Sequence, residues 1–557
     1  MSKQNRIVII GGTACGPKAA ARARRCAPSA KITIIEQQEN LSTATCGLPY
    51  FISGVIKNED DMVARRADYF RNVYDMEVLT GTRATAVRPE NHTVEITNLK
   101  TDRRNTIEYD RLVIATGASP VVPALEGKNL EGIFTLSHLP DAYAIRQYLS
   151  SVDKKEVVIV GAGLIGLEMA EAFAVRGLKV TVIEALGWPL PALLDDEIAA
   201  YLDKHLRSKG VEVRCGERVS GFVDDGQGRV RKVAVGDKEV DASLVLLSIG
   251  VRPNVGLAKD AGIVIGDTGG IAVNEHLQTS HPAIYAGGDC VETVNIITGK
   301  KGLVPLGSTA NKHGRVIGTN VTGGNDTFPG VVGTAIAGVF DFNVGRVGLS
   351  ESAAREAGYD TVMSLVPSSE HATYYPGSRD IMVKLVADKA TGRLLGGQVV
   401  GPGDAAKRID VLATALAYGA TVGDLADIDL AYAPPYNSAL DPLHDATNVI
   451  RNKLSGLART ITLADLKQKL DSNDRFVLLD VRSEMEWQEA RLNTPRARLI
   501  PLPELRKRLG ELSPDDEIII YCKTSLRAYK AQRILDGAGF KNVRFVDGSL
   551  DAWPYEL

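Results

Sequence analysis

Residues 157–168 read Val-Val-Ile-Val-Gly-Ala-Gly-Leu-Ile-Gly-Leu-Glu, an apolar strand that runs into a glycine-rich turn and the start of a helix. Gly161, Gly163 and Gly166 have G-x-G-x-x-G spacing, which brings backbone N–H groups and a helix N-terminus to one pyrophosphate-binding point. The next strand-like run ends at Glu184, whose carboxylate can accept from a ribose 2′-hydroxyl. The stretch predicts a dinucleotide-binding α/β unit. NADH is favoured over NADPH because no arginine closely follows Glu184.

The same pattern occurs at the N-terminus. Residues 6–10 form an apolar run, residues 11–16 read Gly-Gly-Thr-Ala-Cys-Gly, and an alanine-rich helical run follows. The spacing is imperfect, because Thr13 stands where the motif has its second glycine. The strand-like run at residues 31–36 again ends in a glutamate. We predict a second nucleotide site, held by Gly11, Gly12, Ala14, Gly16 and Glu36.

Two such units make an internal repeat, in which one site serves a tightly held cofactor and the other a mobile one. Three later strand-like runs end in residues that we expect at these sites. The runs end in Thr116 and Gly117, in Gly250, and in the carboxylate of Asp289.

Composition limits the classes of protein. A chain of 557 residues is too long for one core, and three to four domains are expected. The formal net charge of -3 gives no reason to propose nucleic acid or an anionic membrane as partner. The six cysteines are scattered without a C-x-x-C pair, which argues against a disulfide framework and a metal site. No signal peptide or membrane-spanning run is visible, so we expect a cytoplasmic protein.

One of these cysteines lies in a stiff turn at residues 42–50, Ser-Thr-Ala-Thr-Cys-Gly-Leu-Pro-Tyr. Gly47 frees the backbone after Cys46, and Pro49 restrains it. Because the turn follows the second strand of the first unit, the Cys46 thiol is expected near a bound cofactor. The alternative is a small buried apolar residue, the commonest fate of a free cysteine.

Residues 1 to about 450 resemble the flavin-dependent pyridine nucleotide–disulfide oxidoreductases, in the branch with a single redox-active cysteine. That branch contains coenzyme A-disulfide reductases, NADH oxidases, NADH peroxidases and NADH-dependent persulfide or polysulfide reductases. The resemblance lies in residues 42–50, 115–117, 161–166, 250–254 and 285–289. It implies FAD on the first unit, a nicotinamide on the second, and Cys46 beside the flavin. A low-pKa Cys46 near an oxidised flavin would show a charge-transfer band.

The resemblance also implies a homodimer, built by the region after about residue 330. Residues 371–377 and 432–442 match stretches that the family places near the cysteine and flavin of the other subunit. We assign functional roles to Tyr432 and to Tyr374 or Tyr375, with Tyr375 as the chosen candidate. Tyr436 and the prolines beside it are interpreted as filling the dimer contact.

A coenzyme A site is implied as well. Its candidate residues are Lys18, Arg22, Arg25, Ser42 and Thr45. The alternative for the three basic residues is an ordinary solvated helix face. This chain has Leu440, Thr45 and Cys15 where the family has lysine, asparagine and glycine, so another thiol or free polysulfide is an alternative substrate. Cys15 is either a disulfide partner of Cys46 or a structural substitution.

Residues 451–456 are interpreted as a linker to a final unit of about a hundred residues. Its strand at residues 517–522 ends in Cys522, and a helical run follows. The helix N-terminus, Lys523 and Arg527 are expected to place positive charge around the sulfur and to cradle an anionic persulfide. The unit resembles the rhodanese domain, through these residues and through residues 480–482 and 548–553. Residues 490–492 depart from it, with Ala-Arg-Leu in place of Gly-His-Ile.

The expected fold class is α/β with four domains. They are an FAD-binding domain (1–118 and 252–325), an NAD(P)H-binding domain (119–251), an α+β dimerisation domain (326–452) and a rhodanese domain (460–557). The expected activity is reduction of persulfide, polysulfide or CoA-disulfide substrates by NADH, with Cys46 as redox thiol and Cys522 as persulfide carrier. The alternatives are an NADH oxidase or peroxidase that uses a Cys46 sulfenic acid, and a sulfurtransferase or sulfur-relay protein with a redox-sensing flavoprotein module.

Overall fold

The structure is a computed structural model that describes residues 5–152, 156–472 and 474–555. The chain divides into two compact units. Unit 1 comprises Met1–Ala185 and Arg214–Val331, and unit 2 comprises Leu186–Val213 and Val332–Leu557. Among the described residues, no helix has the length and apolar character needed to cross a bilayer.

The elements follow one another along the chain in five groups. The first group is β1 Arg6–Ile10, α1 Cys15–Cys26, β2 Lys31–Ile35, α2 Leu48–Ser53, α3 Ala67–Tyr74, β3 Glu77–Leu79, β4 Thr82–Arg88, β5 Thr93–Asn98, β6 Arg104–Glu108, β7 Arg111–Ile114 and β8 Ala118–Pro120. The second is β9 Ile133–Phe134, α4 Leu139–Ser151, β10 Glu156–Val160, α5 Leu164–Ala174, β11 Lys179–Glu184, α6 Asp196–Ser208, β12 Glu212–Cys215, β13 Val219–Asp224, β14 Val230–Val235, β15 Lys238–Asp241, β16 Leu244–Leu247 and β17 Val251–Pro253. The third is α7 Gly256–Asp260, β18 Ile284–Ala286, β19 Glu292–Val294, β20 Lys301–Leu303 and α8 Gly307–Asn320. The fourth is β21 Ala335–Val339, β22 Phe342–Gly348, α9 Glu351–Glu356, β23 Thr361–Ser369, β24 Asp380–Asp388, β25 Leu394–Gly401, α10 Ala406–Ala417, α11 Val422–Asp427 and α12 Pro442–Leu454. The fifth is β26 Thr460–Ile461, α13 Leu463–Asp471, β27 Val477–Asp480, α14 Glu484–Glu489, β28 Ala497–Leu499, α15 Leu502–Leu505, β29 Ile518–Tyr521, α16 Leu526–Gly537 and β30 Val543–Val546.

In unit 1, each glycine-rich turn follows the middle strand of a parallel sheet. The first sheet has the order β18-β7-β1-β2-β3, and the second has the order β11-β10-β16-β9 with β12 beyond β11. The middle strands β1 and β10 are buried after their first residue, because helices or other strands cover both faces. Unit 1 also contains two separate three-stranded antiparallel sheets, β4-β5-β6 and β13-β14-β15. Both turns are thus built at the carboxyl end of a rigid, buried strand.

Unit 2 contains two further five-stranded sheets. The antiparallel sheet has the order β21-β22-β25-β24-β23 and packs against α10, where Gly345 leaves room for Ile409. The parallel sheet has the order β26-β30-β29-β27-β28. Its core strand β29 is fully buried. This mixture of parallel and antiparallel sheets is the α/β architecture expected from the sequence.

The predicted linker at residues 451–456 is wrong over its first four residues, because α12 continues to Leu454. Arg451 and Lys453 lie in the last helical turn, where the helix dipole favours cations. Lys453 Nζ donates to Met363 O (2.7 Å) and to Asp547 Oδ2 (2.8 Å). The end of α12 is therefore bonded both to β23 and to the loop after β30.

A buried ion cluster holds the 186–213 segment in unit 2. Lys384 on β24 is 1% exposed, and its ammonium lies 3.0 Å from Asp195, 2.5 Å from Glu197 and 2.9 Å from Glu351. Burial alone would raise the pKa of Asp195, but Lys384 and two backbone N–H groups outweigh it and lower the pKa. Glu351 is also paired with Arg355, so Lys384 is the buried cation that the three carboxylates share.

Replacing Lys384 by methionine should destabilise the protein by about 3–5 kcal/mol, because three carboxylates lose the buried cation that they share. The denaturant midpoint and the melting temperature would fall accordingly. Lys389→Met is the matched control, since Lys389 is exposed and its ammonium lies 3.8 Å from Asp360. Equal stability of the two variants would contradict the role given to Lys384.

Candidate functional site

The first glycine turn packs backbone against backbone too closely for a side chain at Gly11 or Gly16. A Cβ on Gly11 (φ +110°) would lie 2.0 Å from Ala115 O, and a Cβ on Gly16 would lie 1.9 Å from Gly11 O. Helix α1 starts at Cys15 with no acidic residue in its first turn and no side-chain cap. Its first N–H groups are left for acceptor oxygens outside the chain. The turn fits the pyrophosphate of FAD.

The two predicted ribose-binding glutamates occupy equivalent positions. Glu36 is buried, and its carboxylate accepts from Gly12 N–H (2.6 Å) and Gln38 N–H (2.7 Å). Glu184 accepts from Ala162 N–H (2.8 Å). A carboxylate has about four acceptor positions, so each glutamate that orders its turn can also accept from a ribose hydroxyl.

The second turn repeats the geometry of the first. A Cβ on Gly161 (φ +103°) would lie 2.4 Å from Ser248 O, and a Cβ on Gly166 would lie 2.2 Å from Gly161 O. A Cβ on Gly163 would meet no protein atom closer than 3.9 Å. Helix α5 also begins without an acidic first turn or a side-chain cap. The space at Gly163 suits the approach of a dinucleotide pyrophosphate.

The other predicted cofactor residues lie at strand ends in unit 1. Thr116 Oγ1 donates to Asn254 O (2.7 Å), and β8 pairs antiparallel with β17 beside Gly117 and Gly250. Both glycines have positive φ, +65° and +109°. Asp289 follows β18, and burial raises the pKa of its carboxyl group. A half-buried carboxyl at this position fits the hydroxyl groups of a cofactor's polyol chain.

Cys46 lies on a one-turn 3₁₀ helix, Thr45–Gly47, that leads directly into α2. The loop is bonded to the first glycine turn, because Ser42 N–H donates to Gly12 O (2.7 Å). On the other side, Arg176 Nη1 donates to Ile52 O (3.1 Å) and ties α2 to the region after α5. The Cys46 side chain is exposed, so the alternative of a buried apolar cysteine is wrong.

The charges around Cys46 oppose its ionisation. Desolvation of the sulfur, then Glu168 and Asp289, raise the pKa of the Cys46 thiol, while a hydrogen bond from Thr45 acts against them. Burial and the nearby Glu171 in turn raise the pKa of Glu168 to about 7. Among the described residues, burial and these two acidic groups thus disfavour the Cys46 thiolate.

Cys15 packs inside the structure. It is 4% exposed, and its Sγ would lie 2.9 Å from a Cβ on Gly287. Both Cys15 and Cys46 are free thiols. This packing favours the structural substitution over the disulfide alternative.

The three basic residues predicted to bind coenzyme A make different contacts within the protein. Arg22 Nε donates to Thr319 Oγ1 on α8 (3.0 Å), and Arg25 Nη1 donates to Tyr74 Oη on α3 (3.3 Å). Lys18 is half-buried on the same helix, where its Cβ faces Gly314. The three residues thus share α1, whose N-terminus belongs to the first glycine turn.

Residues 371–377 and 432–442, the two tyrosine-containing stretches of unit 2, bring one pair of tyrosine hydroxyls together. The hydroxyls of Tyr374 and Tyr432 lie 3.4 Å apart, whereas Tyr375 packs edge-to-face on His371. All three tyrosines are exposed. The structure therefore places Tyr374, rather than the chosen Tyr375, beside Tyr432.

Cys522 is buried at the end of β29, before α16. Its N–H donates to Ser549 Oγ (3.2 Å), and its carbonyl accepts from Leu550 N–H (3.2 Å). The loop closes through Ser525, whose φ is +79°. Arg527 does lie beside Cys522, but both of its terminal nitrogens donate to Glu486.

Three residues of these sites were missed in the sequence: Glu168, Glu486 and Ser549. Tyr374 was named together with Tyr375 but was not the chosen candidate. Glu168 stands two residues after Gly166, the last glycine of the motif, so the motif alone could have indicated its position near the site. Glu486 is the fourth residue of a Ser-x-x-Glu capping box, which indicates a helix start but not its pairing with Arg527.

Comparison with known proteins agrees with this architecture. Residues 5–314 match the family model for pyridine nucleotide-disulphide oxidoreductase, and residues 334–443 match its dimerisation domain. Residues 462–555 match the rhodanese-like domain. The chain belongs to the pyridine nucleotide-disulphide oxidoreductase family. The resemblance read from the motifs is confirmed, and the predicted cofactor classes, FAD and NAD(P)H, are those of this family.

Several relatives match nearly their full length. The NAD(P)H coenzyme A polysulfide/persulfide reductase of Pyrococcus horikoshii is 41% identical over 453 residues, which are 80% of this chain and 99% of the relative. The solved NAD-dependent persulfide reductase from A. fulgidus has a TM-score of 0.93 at 43% identity, covering 98% of this chain and all of that one. The solved Bacillus anthracis CoADR-RHD has a TM-score of 0.94 at 33% identity, covering 99% of this chain and 98% of that one.

Replacing Glu168 by glutamine should lower the pKa of the Cys46 thiol, because an anion that disfavours the thiolate is removed. The pH midpoint of Cys46 alkylation by iodoacetamide is expected to fall. Glu171→Gln is the contrasting variant: it removes an anion that raises the pKa of Glu168, which leaves Glu168 more fully charged, so the midpoint should not fall. An unchanged midpoint in Glu168→Gln would show that Glu168 does not act on the sulfur.

Proposed function

We propose that this protein reduces persulfide, polysulfide or CoA-disulfide substrates with NADH, using Cys46 as the redox thiol and Cys522 as a persulfide carrier. The observation that carries the proposal is the pair of thiol sites in one chain. An exposed cysteine is bonded through Ser42 to the FAD turn, and a second cysteine closes a rhodanese loop. The persulfide reductase names of the relatives support it.

The chemistry at Cys46 is nucleophilic attack on a sulfur–sulfur bond. The Cys46 thiolate displaces a thiolate from the substrate and forms a mixed disulfide or a persulfide at Sγ. FAD, when bound, would supply electrons from NADH for the reductive cleavage of this bond. The Thr45 hydroxyl stabilises the thiolate by its hydrogen bond, and Glu168 acts against it. Net turnover releases sulfide or thiol and returns Cys46 to its starting state.

The chain supplies sulfur to this site from Cys522. A rhodanese cysteine accepts the outer sulfur of a donor and holds it as a persulfide. Tethering that persulfide to the flavoprotein raises its effective concentration at the acceptor.

The proposed domains are those expected from the sequence: an FAD-binding domain (1–118 and 252–325), an NAD(P)H-binding domain (119–251), a dimerisation domain (326–452) and a rhodanese domain (460–557).

We further propose a homodimer in a cytoplasmic, reducing compartment. The match of residues 334–443 to the dimerisation domain supports the dimer. In that assembly the Tyr374–Tyr432 pair would complete the Cys46 site of the other subunit, and Lys18, Arg22, Arg25, Ser42 and Thr45 would contact a CoA carrier.

An NADH oxidase is the second candidate, because a relative of that name from Methanocaldococcus jannaschii is 35% identical over 450 residues.

Anaerobic turnover with NADH and CoA persulfide, glutathione persulfide or polysulfide tests the proposal. Cys46→Ser should lose sulfide release by at least about a hundredfold, since the nucleophile is gone. Cys522→Ala should keep reduction of CoA persulfide but lose turnover that starts from a rhodanese donor. Full activity of Cys46→Ser with persulfides, or stoichiometric water formation from oxygen with no preference for sulfur substrates, would contradict the proposal.

Tyr374→Phe should lower kcat/KM for persulfides by about a hundredfold if its hydroxyl serves the Cys46 site as a proton donor. Tyr375→Phe, one residue away with no hydroxyl contact to Tyr432, is the control and should change activity less than twofold. Sedimentation of both variants verifies that the dimer persists. A larger loss in Tyr375→Phe would restore the original choice of Tyr375.

A further inference from the structure

Arg527 in the rhodanese loop is held by a carboxylate. Its Nη1 donates to Glu486 Oε2 (2.8 Å) and its Nη2 to Glu486 Oε1 (2.6 Å), a bidentate pair. Glu486 is itself fixed, because its Oε2 also accepts from the N–H and the hydroxyl of Ser483 (both 3.0 Å). Arg527 and Ser483 hold the pKa of Glu486 at about 2, so the carboxylate stays charged at every working pH.

The other cations around Cys522 are matched as well. Arg482 is buried with Asp480 at 2.7 Å, and Lys523 faces the carboxyl group of Asp551. Asp551 is also close enough to Asp380 for the two charges to interact. The loop was expected to carry free positive charge from Lys523 and Arg527, but the structure gives each cation an acidic neighbour.

The rim beside this pair is apolar. Met485, next to Glu486, is 68% exposed, and Leu526, next to Arg527, is 58% exposed. Among the described residues, what remains to hold an anionic sulfur at Cys522 is the N-terminus of α16 and Arg527, which is hydrogen-bonded to Cys522 and whose charge Glu486 already compensates. Such a site stabilises a single negative charge on the sulfane sulfur but offers little to a second charge on the donor.

We propose that Glu486 determines donor specificity by holding Arg527, so that Cys522 takes sulfur from organic persulfides in preference to dianionic thiosulfate. This inference rests on the proposed role of Cys522. In the transfer, the Cys522 thiolate attacks the outer sulfur of R–S–SH. The S–S bond of the donor breaks, a new S–S bond forms to Cys522, and R–SH leaves with the proton. With thiosulfate the same step releases sulfite. Neither route needs an oxidant or reductant.

The full-length holoenzyme without NADH is assayed for thiocyanate formation with cyanide as acceptor. The two donors are thiosulfate and the persulfide of 2-mercaptoethanol, which carries no charge apart from its sulfane group. Glu486→Gln keeps the capping box, because glutamine also accepts from Ser483, but it releases the charge of Arg527. We expect the KM for thiosulfate to fall about fivefold, while kcat for both donors stays within twofold.

Glu484→Gln is the matched control. It removes the same charge from the first turn of α14, where Glu484 is exposed and accepts only from Gln488 among the hydrogen bonds found for it. The KM for thiosulfate should not change in this variant. A melting temperature of Glu486→Gln within about 3 °C of the parent verifies folding.

An unchanged or higher KM for thiosulfate in Glu486→Gln would overturn the inference, and so would an equal loss of kcat with both donors, which marks a purely structural role. Cys522→Ser separates this from the proposed function. Retained thiocyanate formation in Cys522→Ser would overturn the role of Cys522 itself, whereas its loss together with an unaltered KM in Glu486→Gln would overturn only the specificity role.

Discussion

The close approach of backbone to backbone at the first glycine turn is the constraint on which the Cys46 site depends. Gly11 and Gly16 lie so near Ala115 O and Gly11 O that any side chain would collide. That approach sets the N-terminus of α1 at the end of β1, and Glu36 fixes the turn through Gly12 N–H. The carbonyl of Gly12 then accepts from Ser42 N–H, which anchors the loop that carries Cys46. Phosphate binding and thiol placement are consequences of one backbone arrangement.

The two cysteines that are proposed to carry sulfur lie in different surroundings. Cys46 is exposed among carboxyl groups that raise its pKa, so the protein side chains alone do not favour its thiolate. Cys522 is buried at a helix N-terminus, among hydrogen-bonded loop residues and matched ion pairs. In the proposed reaction the Cys46 thiolate must therefore form against these carboxyl groups, whereas an anionic persulfide at Cys522 would lie at the N-terminus of α16.

Local patterns predicted the strands, the glycine turns, the two glutamates and the family, because each depends on residues close in sequence. The features that these local patterns did not predict depend on contacts between residues far apart in the sequence. Tyr374 meets Tyr432 across 58 residues, and Arg527 meets Glu486 across 41. The acidic environment of Cys46 comes from Glu168 on a distant helix, and Cys15 points into the core through its fit against Gly287. The linker prediction was wrong because Lys453 donates hydrogen bonds to β23 and to the loop after β30, and a local pattern cannot show such contacts.

The central claim is that sulfur is carried on Cys522 and reduced at Cys46. Peptide mass spectrometry of the anaerobic holoenzyme, loaded with an organic persulfide and then treated with one equivalent of NADH, tests it most directly. The account predicts one added sulfur atom on the peptides containing Cys46 and Cys522 before NADH. It predicts loss of the Cys46 sulfur, with release of sulfide, after NADH. An unmodified Cys46, a Cys46 persulfide that survives NADH, or sulfur found on Cys15 instead would contradict the account.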